Sequence, residues 1–313
     1  MITHNPRTWF KFMLTFHKED TFRKLLPMIL AISAYSFAVA CFAFLWWKDD
    51  DNTYVKNLSL LHNLLGFVLS LLLVFRTNSA YDRWWEGSIR WNELVNTSRN
   101  LAMKINAILP EDDYLNRQFF LQTIPLFSFK LRNHLRDSAD FTPINFSDPH
   151  PAITDYENKR NDPLKILSIM YKRIYGLQEE GLMNGEQLLS AYLDVEKLND
   201  VFGACERIKN TPIPSSYSIF VKKFVYIYLM TLPFGFIFSL GFYVVPVVAF
   251  TYYVLASLEM IAEEIEDPFG DDANDIPTNN IVIVIKHNAE TILHTERKNG
   301  TGLFKLNKEL MVI

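Results

Sequence analysis

An almost wholly apolar run begins at Leu58 and ends at Phe75. The polar residues His62, Asn63 and Ser70 interrupt it, and it contains no Lys, Arg, Asp or Glu. At about 1.5 Å per residue, such a run nearly crosses a hydrocarbon core about 30 Å thick. Polar and aromatic residues with helical spacing follow directly, without an intervening Gly or Pro. The pattern therefore predicts one long helix that starts in a membrane and continues into water.

Three other stretches are long and apolar enough to span a membrane. Residues 25–47 form the first, with Pro27 in its first turn, where the missing N–H costs little. Residues 224–240 and 242–258 form a pair that only Gly241 separates, which predicts two helices joined by a tight turn. Together with the run ending at Phe75, these stretches predict four membrane spans.

The charges between the spans predict their orientation. Lys and Arg accumulate in the cytosolic loops of membrane proteins, which is the positive-inside rule. Three acidic residues, Asp49 to Asp51, lie between the first two spans. The residues after the second span are basic: Arg76, Arg83, Arg90, Arg99 and Lys104. This predicts a plasma-membrane (inner-membrane) protein with the acidic loop outside and both termini in the cytoplasm.

Residues 76–217 have the character of a soluble helical domain. Residues 139–162, rich in Pro and Asp, are expected to form a loop within it. Apolar residues at helical spacing predict four helices, at 76–109, 112–138, 163–178 and 184–209.

The fold class expected from this pattern is an all-α membrane protein with four transmembrane helices and a cytosolic helical domain. Residues 8–24 are expected to form an amphipathic helix on the membrane or a cytosolic lead-in. The predicted division has an N-terminal segment, two spans, the cytosolic domain, two further spans, and an acidic turn with a tail, at 1–24, 25–75, 76–217, 218–258 and 259–313.

Composition supports a chain that is part membrane-embedded and part charged. Of 313 residues, 49% are hydrophobic and 21% are charged, which is too polar for a protein made only of spans. The net charge of −4 gives no broad basic surface for nucleic acid. Metalloprotease, serine hydrolase, P-loop and dinucleotide-binding motifs are all missing from the sequence, so an enzyme is not expected.

The second span contains a stripe that has two interpretations. Phe67, Leu71 and Phe75 recur every four residues, which brings them to one side of a helix, and Asn63 and Asn78 fall near the two ends. A stripe of this kind usually packs against a neighbouring span. Alternatively, it faces a pore and forms an apolar constriction, which gates by dewetting.

Two groups of charged residues lie at the ends of the predicted spans. Arg76, Asp82 and Arg83 follow the second span, where snorkelling and local pairing are the usual roles. An acidic run after the fourth span would ordinarily be a solvated loop, or it could bind a hard cation such as Ca²⁺. That run contains Glu263, Glu264, Glu266, Asp267, Asp271, Asp272 and Asp275.

Four motifs, in order along the chain, closely resemble the bestrophin family, including its bacterial branch. The first is Phe75-Arg76-Thr77-Asn78-Ser79-Ala80-Tyr81-Asp82-Arg83-Trp84-Trp85-Glu86-Gly87. The others are Gly203-Ala204-Cys205-Glu206-Arg207-Ile208, Thr211-Pro212-Ile213-Pro214 and Glu266-Asp267-Pro268-Phe269-Gly270.

The resemblance implies a homopentameric ion channel that conducts small monovalent ions, with a central pore lined by the second helix. It puts a hydrophobic neck at Phe67, Leu71 and Phe75, so the pore interpretation outweighs packing. It also puts a cytosolic aperture at Glu186, where the family usually has an aliphatic residue.

The same resemblance implies a calcium clasp at Asp272 and Asp275, with backbone oxygens from Asp271 and from the N-terminal segment. Ala273 and Asn274 stand where eukaryotic members carry more acids. Anions such as chloride are the expected ions, although bacterial members need not share the selectivity of eukaryotic chloride channels. The alternatives are a cation (sodium) channel, favoured by Glu186, and a non-conducting membrane scaffold.

Overall fold

The structure, a computed structural model, describes residues 21–46, 53–136, 150, 162–272 and 274–293. Every regular element in these ranges is helical. The α-helices are α1 (Thr21–Trp46), α2 (Thr53–Ile108), α3 (Tyr114–Arg136), α4 (Pro163–Glu179), α5 (Gly185–Asn210), α6 (Ser215–Leu240), α7 (Val244–Glu266) and α8 (Thr278–Leu293), with a 3-10 turn at Gly241–Tyr243.

The helices agree closely with those that the sequence pattern predicts. The long second helix is confirmed: α2 runs without interruption from the apolar run through the polar residues to Ile108. The first-turn position predicted for Pro27 is wrong, because α1 is already helical from Thr21 and contains this proline in its interior. The amphipathic helix predicted at 8–24 falls mostly outside the described residues.

Two compact units make up the chain, and each is described here by itself. One unit comprises residues 1–92 and 203–278, and the other comprises residues 93–202 and 279–313. The division of the chain by membrane polarity, made above from the sequence, stays a prediction.

The first unit contains helices that are long and apolar enough to cross a membrane. Among the described residues these are Thr21–Trp46, the helix that continues from Leu58, and the stretch Ser215–Glu266, which the turn at Gly241 divides into α6 and α7. At Gly241 the backbone has φ of +57°, a conformation that favours glycine.

Contacts between these helices show that neighbours run in opposite directions. The start of α6 and the end of α7 meet where Lys222 Nζ lies 2.9 Å from Glu263 Oε2. On α2, His62 Nε2 lies 3.0 Å from the hydroxyl of Thr231, and Tyr217 Oη donates to the carbonyl oxygen of Leu72, so α2 and α6 are antiparallel.

A single apolar cluster joins the four helical segments of this unit. It draws side chains from α1, α2, α6 and α7. Between helices of this apolar character, close van der Waals packing of such side chains is the main favourable term. Its buried members are Ile32, Ala40, Ala43, Leu69, Leu73, Val221, Val225, Leu229, Leu232, Ile237, Val244 and Val248.

The second unit is a helical bundle with its own apolar core and several polar ties. Asp162 caps the first turn of α4 by accepting a hydrogen bond from Leu164 N–H, with Pro163 in the N1 position. Lys104 of α2 pairs with the buried carboxylate of Asp194 at 2.7 Å, which fixes α2 against α5.

Candidate functional site

The predicted neck residues lie on an open face of α2. Phe67 is 69% exposed, Leu71 46% and Phe75 57%, although all three are large apolar side chains in the apolar part of the helix. Asn63 and Asn78, before and after them, are also exposed. The face is therefore apolar along its middle and polar at both ends, and nothing within one chain's described residues covers it.

The opposite face of α2 is packed against the rest of the unit. Leu69, Leu73, Arg76 and Ala80 are all buried, at spacings of three and four residues. At about 100° per residue, these positions point roughly half a turn away from the exposed stripe. The two faces of the same helix thus have different environments, and the single chain accounts for only one of them.

Arg76 follows the neck directly and lies inside the unit. Its side chain is 1% exposed, and Nη2 donates to Glu266 Oε2 at 2.6 Å, while Nε lies 3.7 Å from Glu259 Oε1. Snorkelling with local pairing, expected from the sequence, is therefore wrong for Arg76: its partner is 190 residues away. Burial of an ion pair is tolerated only when both charges are matched, so this pair fixes the neck helix against the end of α7.

Arg83 connects the same region to the end of α5 and to the residues that follow it. Its guanidinium donates to three backbone carbonyls, those of Ile208, Thr211 and Glu266. The side chain of Glu266 in turn accepts a hydrogen bond from Ile213 N–H at 2.8 Å. All four motifs noted in the sequence therefore meet at one cluster of hydrogen bonds just beyond the neck.

The first part of the acidic run makes specific ion pairs. Glu263 binds Lys222 and Glu264 binds Lys24, each at 2.9 Å. With Glu266 bound to Arg76, these carboxylates connect the end of α7 to three other helices. A solvated loop is therefore the wrong interpretation for this part of the run.

The turn after α7 is held against α2 and is closed by its own carboxylate. Trp84 Nε1 donates to the carbonyl oxygen of Asn274 at 2.9 Å. Asp275, which is buried, accepts a hydrogen bond from Asp272 N–H at 2.7 Å. A Cβ at Gly270 would lie 2.7 Å from that same carboxylate oxygen, so a larger residue there would displace the Asp275 side chain.

The predicted calcium ligands do not by themselves form a metal site. Asp271 and Asp272 are exposed, whereas Asp275 closes the turn. Across the described ranges, no three His, Cys, Asp or Glu side chains come close enough together to hold a metal ion. Calcium takes six to eight oxygens, so these carboxylates do not fit it unaided. The N-terminal segment expected to complete the shell lies outside the described residues.

The predicted aperture residue lies at the start of α5. Glu186 is in the first turn of this helix and is exposed, which agrees with the preference for acids near helix N-termini. Three residues later on the same helix, Leu189 is also exposed. An aliphatic side chain is thus available close to the position that the resemblance indicated.

Sequence reasoning missed Glu259 and Glu266 as partners of Arg76. Glu266 is the first residue of the fourth motif, and Glu259 lies seven residues before it. No local sequence pattern identifies which distant residue pairs with an acid at the end of an apolar helix. The apolar run before Arg76 was the one usable signal, because a charge at its border needs a partner or water.

Comparison with known proteins assigns the family. Residues 1–291 match the family described as bacterial/fungal bestrophin protein. A voltage-dependent anion channel-forming protein of Synechocystis sp. is 30% identical over 298 residues, which are 93% of this chain and 94% of that protein. One of the same description from Nostoc sp. is 36% identical over 235 residues, 72% of this chain and 75% of its own length.

Solved structures agree with the sequence match. A variant of a bacterial bestrophin homologue from Klebsiella pneumoniae superposes with a TM-score of 0.78 at 25% identity, covering 87% of this chain and 99% of that one. With its apolar helices and these relatives, the chain is an integral membrane protein. It belongs to the bacterial and fungal bestrophin family.

Proposed function

We propose that the chain is an anion channel, a homopentamer in which five copies of α2 surround a pore. The exposed stripe Phe67, Leu71 and Phe75 is its hydrophobic neck. Four segments cross the membrane, α1, the start of α2, α6 and α7, with both termini in the cytoplasm. Small monovalent anions such as chloride are the transported ions, and the protein carries out transport rather than enzyme chemistry.

The observation that carries this proposal is the contrast between the faces of α2. The exposed face begins with the amide side chain of Asn63, continues with apolar side chains, and ends with the amide side chain of Asn78. Lipid would favour an apolar face along its whole length. A shared axis accommodates both, because water reaches the polar ends and the apolar middle narrows the path. The anion-channel descriptions of the relatives support the choice of ion.

In this proposal the neck controls conduction by hydration. Five phenylalanines at each of two levels, with a leucine ring between them, make a wall with no hydrogen-bonding groups. Water leaves a narrow apolar pore readily, and an ion cannot cross a dry segment without losing its hydration shell. The Arg76 cluster immediately below holds the helix, so small changes there alter the neck width.

Electrical recording of the purified protein in a planar bilayer tests the proposal. A channel gives discrete current steps. If the channel prefers anions, its reversal potential in a sodium chloride gradient lies close to the chloride equilibrium potential. A membrane scaffold gives no current. Native mass spectrometry in detergent measures how many copies of the chain assemble. A monomer or dimer without current would overturn the proposal.

A cation channel of the same fold is the second candidate, supported by the exposed Glu186. If five Glu186 carboxylates form a ring, Glu186→Gln moves the reversal potential toward the chloride equilibrium potential. Leu189→Ser is the matched variant, because it alters the neighbouring exposed aliphatic position without changing charge. A shift with Glu186→Gln alone assigns the aperture to Glu186. An altered conductance with Leu189→Ser alone assigns it to Leu189.

Calcium binding at the turn after α7 is a further proposal that needs oxygens from outside the described residues. Calcium titration of wild type and of Asp271→Ala plus Asp272→Ala tests it, because this variant leaves the closing carboxylate of Asp275 in place. A calcium-dependent rise in thermal stability that the variant loses would support a site. Identical melting curves with and without calcium in the wild type would exclude one.

A further inference from the structure

The charges of α2 are divided unequally between its two faces. Between Leu58 and Asn92 the helix carries five charged side chains: Arg76, Asp82, Arg83, Glu86 and Arg90. Four of the five have partners within the unit. Arg76 is buried against Glu266, and Arg83 donates to three carbonyls. Glu86 pairs with Arg207 at 2.6 Å and lies 3.8 Å from Arg90.

Asp82 is the exception. It is exposed, and within the described part of the chain its carboxylate has no hydrogen bond or ion pair. It follows Phe75 by seven residues, and two helical turns return the chain to within about 20° of the same face. Asp82 therefore continues the line of Phe75 and Asn78, about 10 Å further along the helix at 1.5 Å per residue.

The two neighbouring arginines do not compensate this charge on that face. Arg76 lies six residues before Asp82 and Arg83 lies one residue after it. These spacings turn both guanidiniums about 100° or more away around the helix. Both are engaged on the packed side. One turn further along the same side, Glu86 is paired with Arg207. Asp82 is therefore the carboxylate near this face that has no partner among the described residues.

We propose that Asp82 sets the charge selectivity of the pore, as a ring of carboxylates at the inner end of the neck. This inference rests on the proposed function, since it requires the exposed face of α2 to surround a shared axis. In that arrangement Asp82 repels anions that enter from the inner side and attracts cations. The ring limits how strongly the channel prefers chloride.

The expected size follows from the physics of confined charge. Like charges lining a narrow water-filled passage change the local ion concentration by about tenfold or more, because the low-dielectric walls focus the field. Salt screens the effect: the Debye length falls from about 10 Å at 0.1 M to about 3 Å at 1 M. A ring of Asp82 therefore acts most strongly in dilute salt.

Reversal potentials of charge variants in planar bilayers test the inference. Asp82→Asn removes the charge at nearly constant shape, and Asp82→Glu keeps it. We expect Asp82→Asn to raise the chloride-to-sodium permeability ratio about three- to tenfold in dilute salt, with the difference shrinking near 1 M. Asp82→Glu should keep the wild-type ratio. Glu111→Gln is the control, an exposed carboxylate in the loop after α2 and outside the helix that carries Asp82.

A parallel arm separates this inference from the proposed function. Phe75→Ala changes conductance if the exposed face lines the pore. If Phe75→Ala alters the current but Asp82→Asn leaves the permeability ratio unchanged, the selectivity role is wrong and the pore stands. If neither has an effect, the pore assignment itself fails. If Asp82→Asn weakens the oligomer in native mass spectra without shifting the ratio, Asp82 pairs with a neighbouring copy instead, and the inference is overturned.

Discussion

The two faces of α2 carry similar apolar side chains and have opposite environments. On one face, Leu69 and Leu73 lie in the core of the unit, and Arg76 is paired inside it. On the other, Phe67, Leu71 and Phe75 are exposed. Burying a side chain of this size is worth about 1.5–3 kcal/mol, so an exposed row of three is costly in water.

This difference separates two roles that the sequence pattern alone does not distinguish. The packed face holds the helix in position within one chain. No side chain in the described ranges covers the open face, so its residues are free to serve assembly or conduction. Variants on the packed face should therefore change stability, and variants on the open face should change current.

The largest effect on stability is expected at Arg76. Arg76→Ala leaves Glu266 without its guanidinium partner in a poorly solvated position, and removing one partner of a buried pair costs about 3–5 kcal/mol. Unfolding in mixed detergent micelles, followed by tryptophan fluorescence, measures the loss. Lys223→Ala is the control: this lysine is exposed on α6, and its loss should cost less than about 0.5 kcal/mol. Equal costs for the two variants would contradict a buried pair.

A smaller effect is expected where the turn after α7 packs on α2. A Cβ at Gly87 would lie 3.0 Å from Ile276 Cδ1 and 3.2 Å from Phe269 Cε1. Gly87→Ala should therefore cost about 1–3 kcal/mol through overpacking. Gly203 is also helical, but no atom lies within 4 Å of its Cβ position, so Gly203→Ala should stabilise by about 0.5–1 kcal/mol. A stabilising Gly87→Ala would show that the turn does not press on α2.

The smallest effect on stability is expected on the open face. Truncating Phe67, Leu71 or Phe75 to Ala should change the free energy of unfolding of one chain by less than about 0.5 kcal/mol, because these side chains are exposed within that chain. Leu73→Ala, from the packed face, should cost about 2–5 kcal/mol. Native mass spectrometry adds the assembly readout. Loss of the oligomer on truncating Phe67 would indicate packing between copies, contrary to a neck.

Most helices could be predicted from the sequence because their limits are local. Asp162 and Pro163 specify the start of α4, and Gly241 supplies the turn between α6 and α7. The position of Pro27 was predicted wrongly, because proline at a helix start and proline inside a membrane helix have the same local sequence context. Neighbouring helices tolerate the interior position.

The site was predictable only in part, since its key contacts join distant residues. The period of four along α2 identified Phe67, Leu71 and Phe75 as one stripe, but the sequence could not distinguish an open face from a packed one. The pairing of Arg76 with Glu266 spans 190 residues. The resemblance identified the motif that contains Arg76 and the motif that contains Glu266, but not the contact between these two residues. Asp275 was expected as a metal ligand, and the structure uses its carboxylate to close the turn.

The most direct test of the central claim is single-channel recording of Phe67→Ala, Leu71→Ala and Phe75→Ala combined. A wider and wetter neck should increase the open conductance or open probability several-fold. The matched control truncates Phe42, Leu45 and Phe250, which have the same composition and are exposed on α1 and α7. The account predicts a large increase for the first variant and wild-type current for the control. A folded, oligomeric neck variant with unchanged conductance and gating would contradict it.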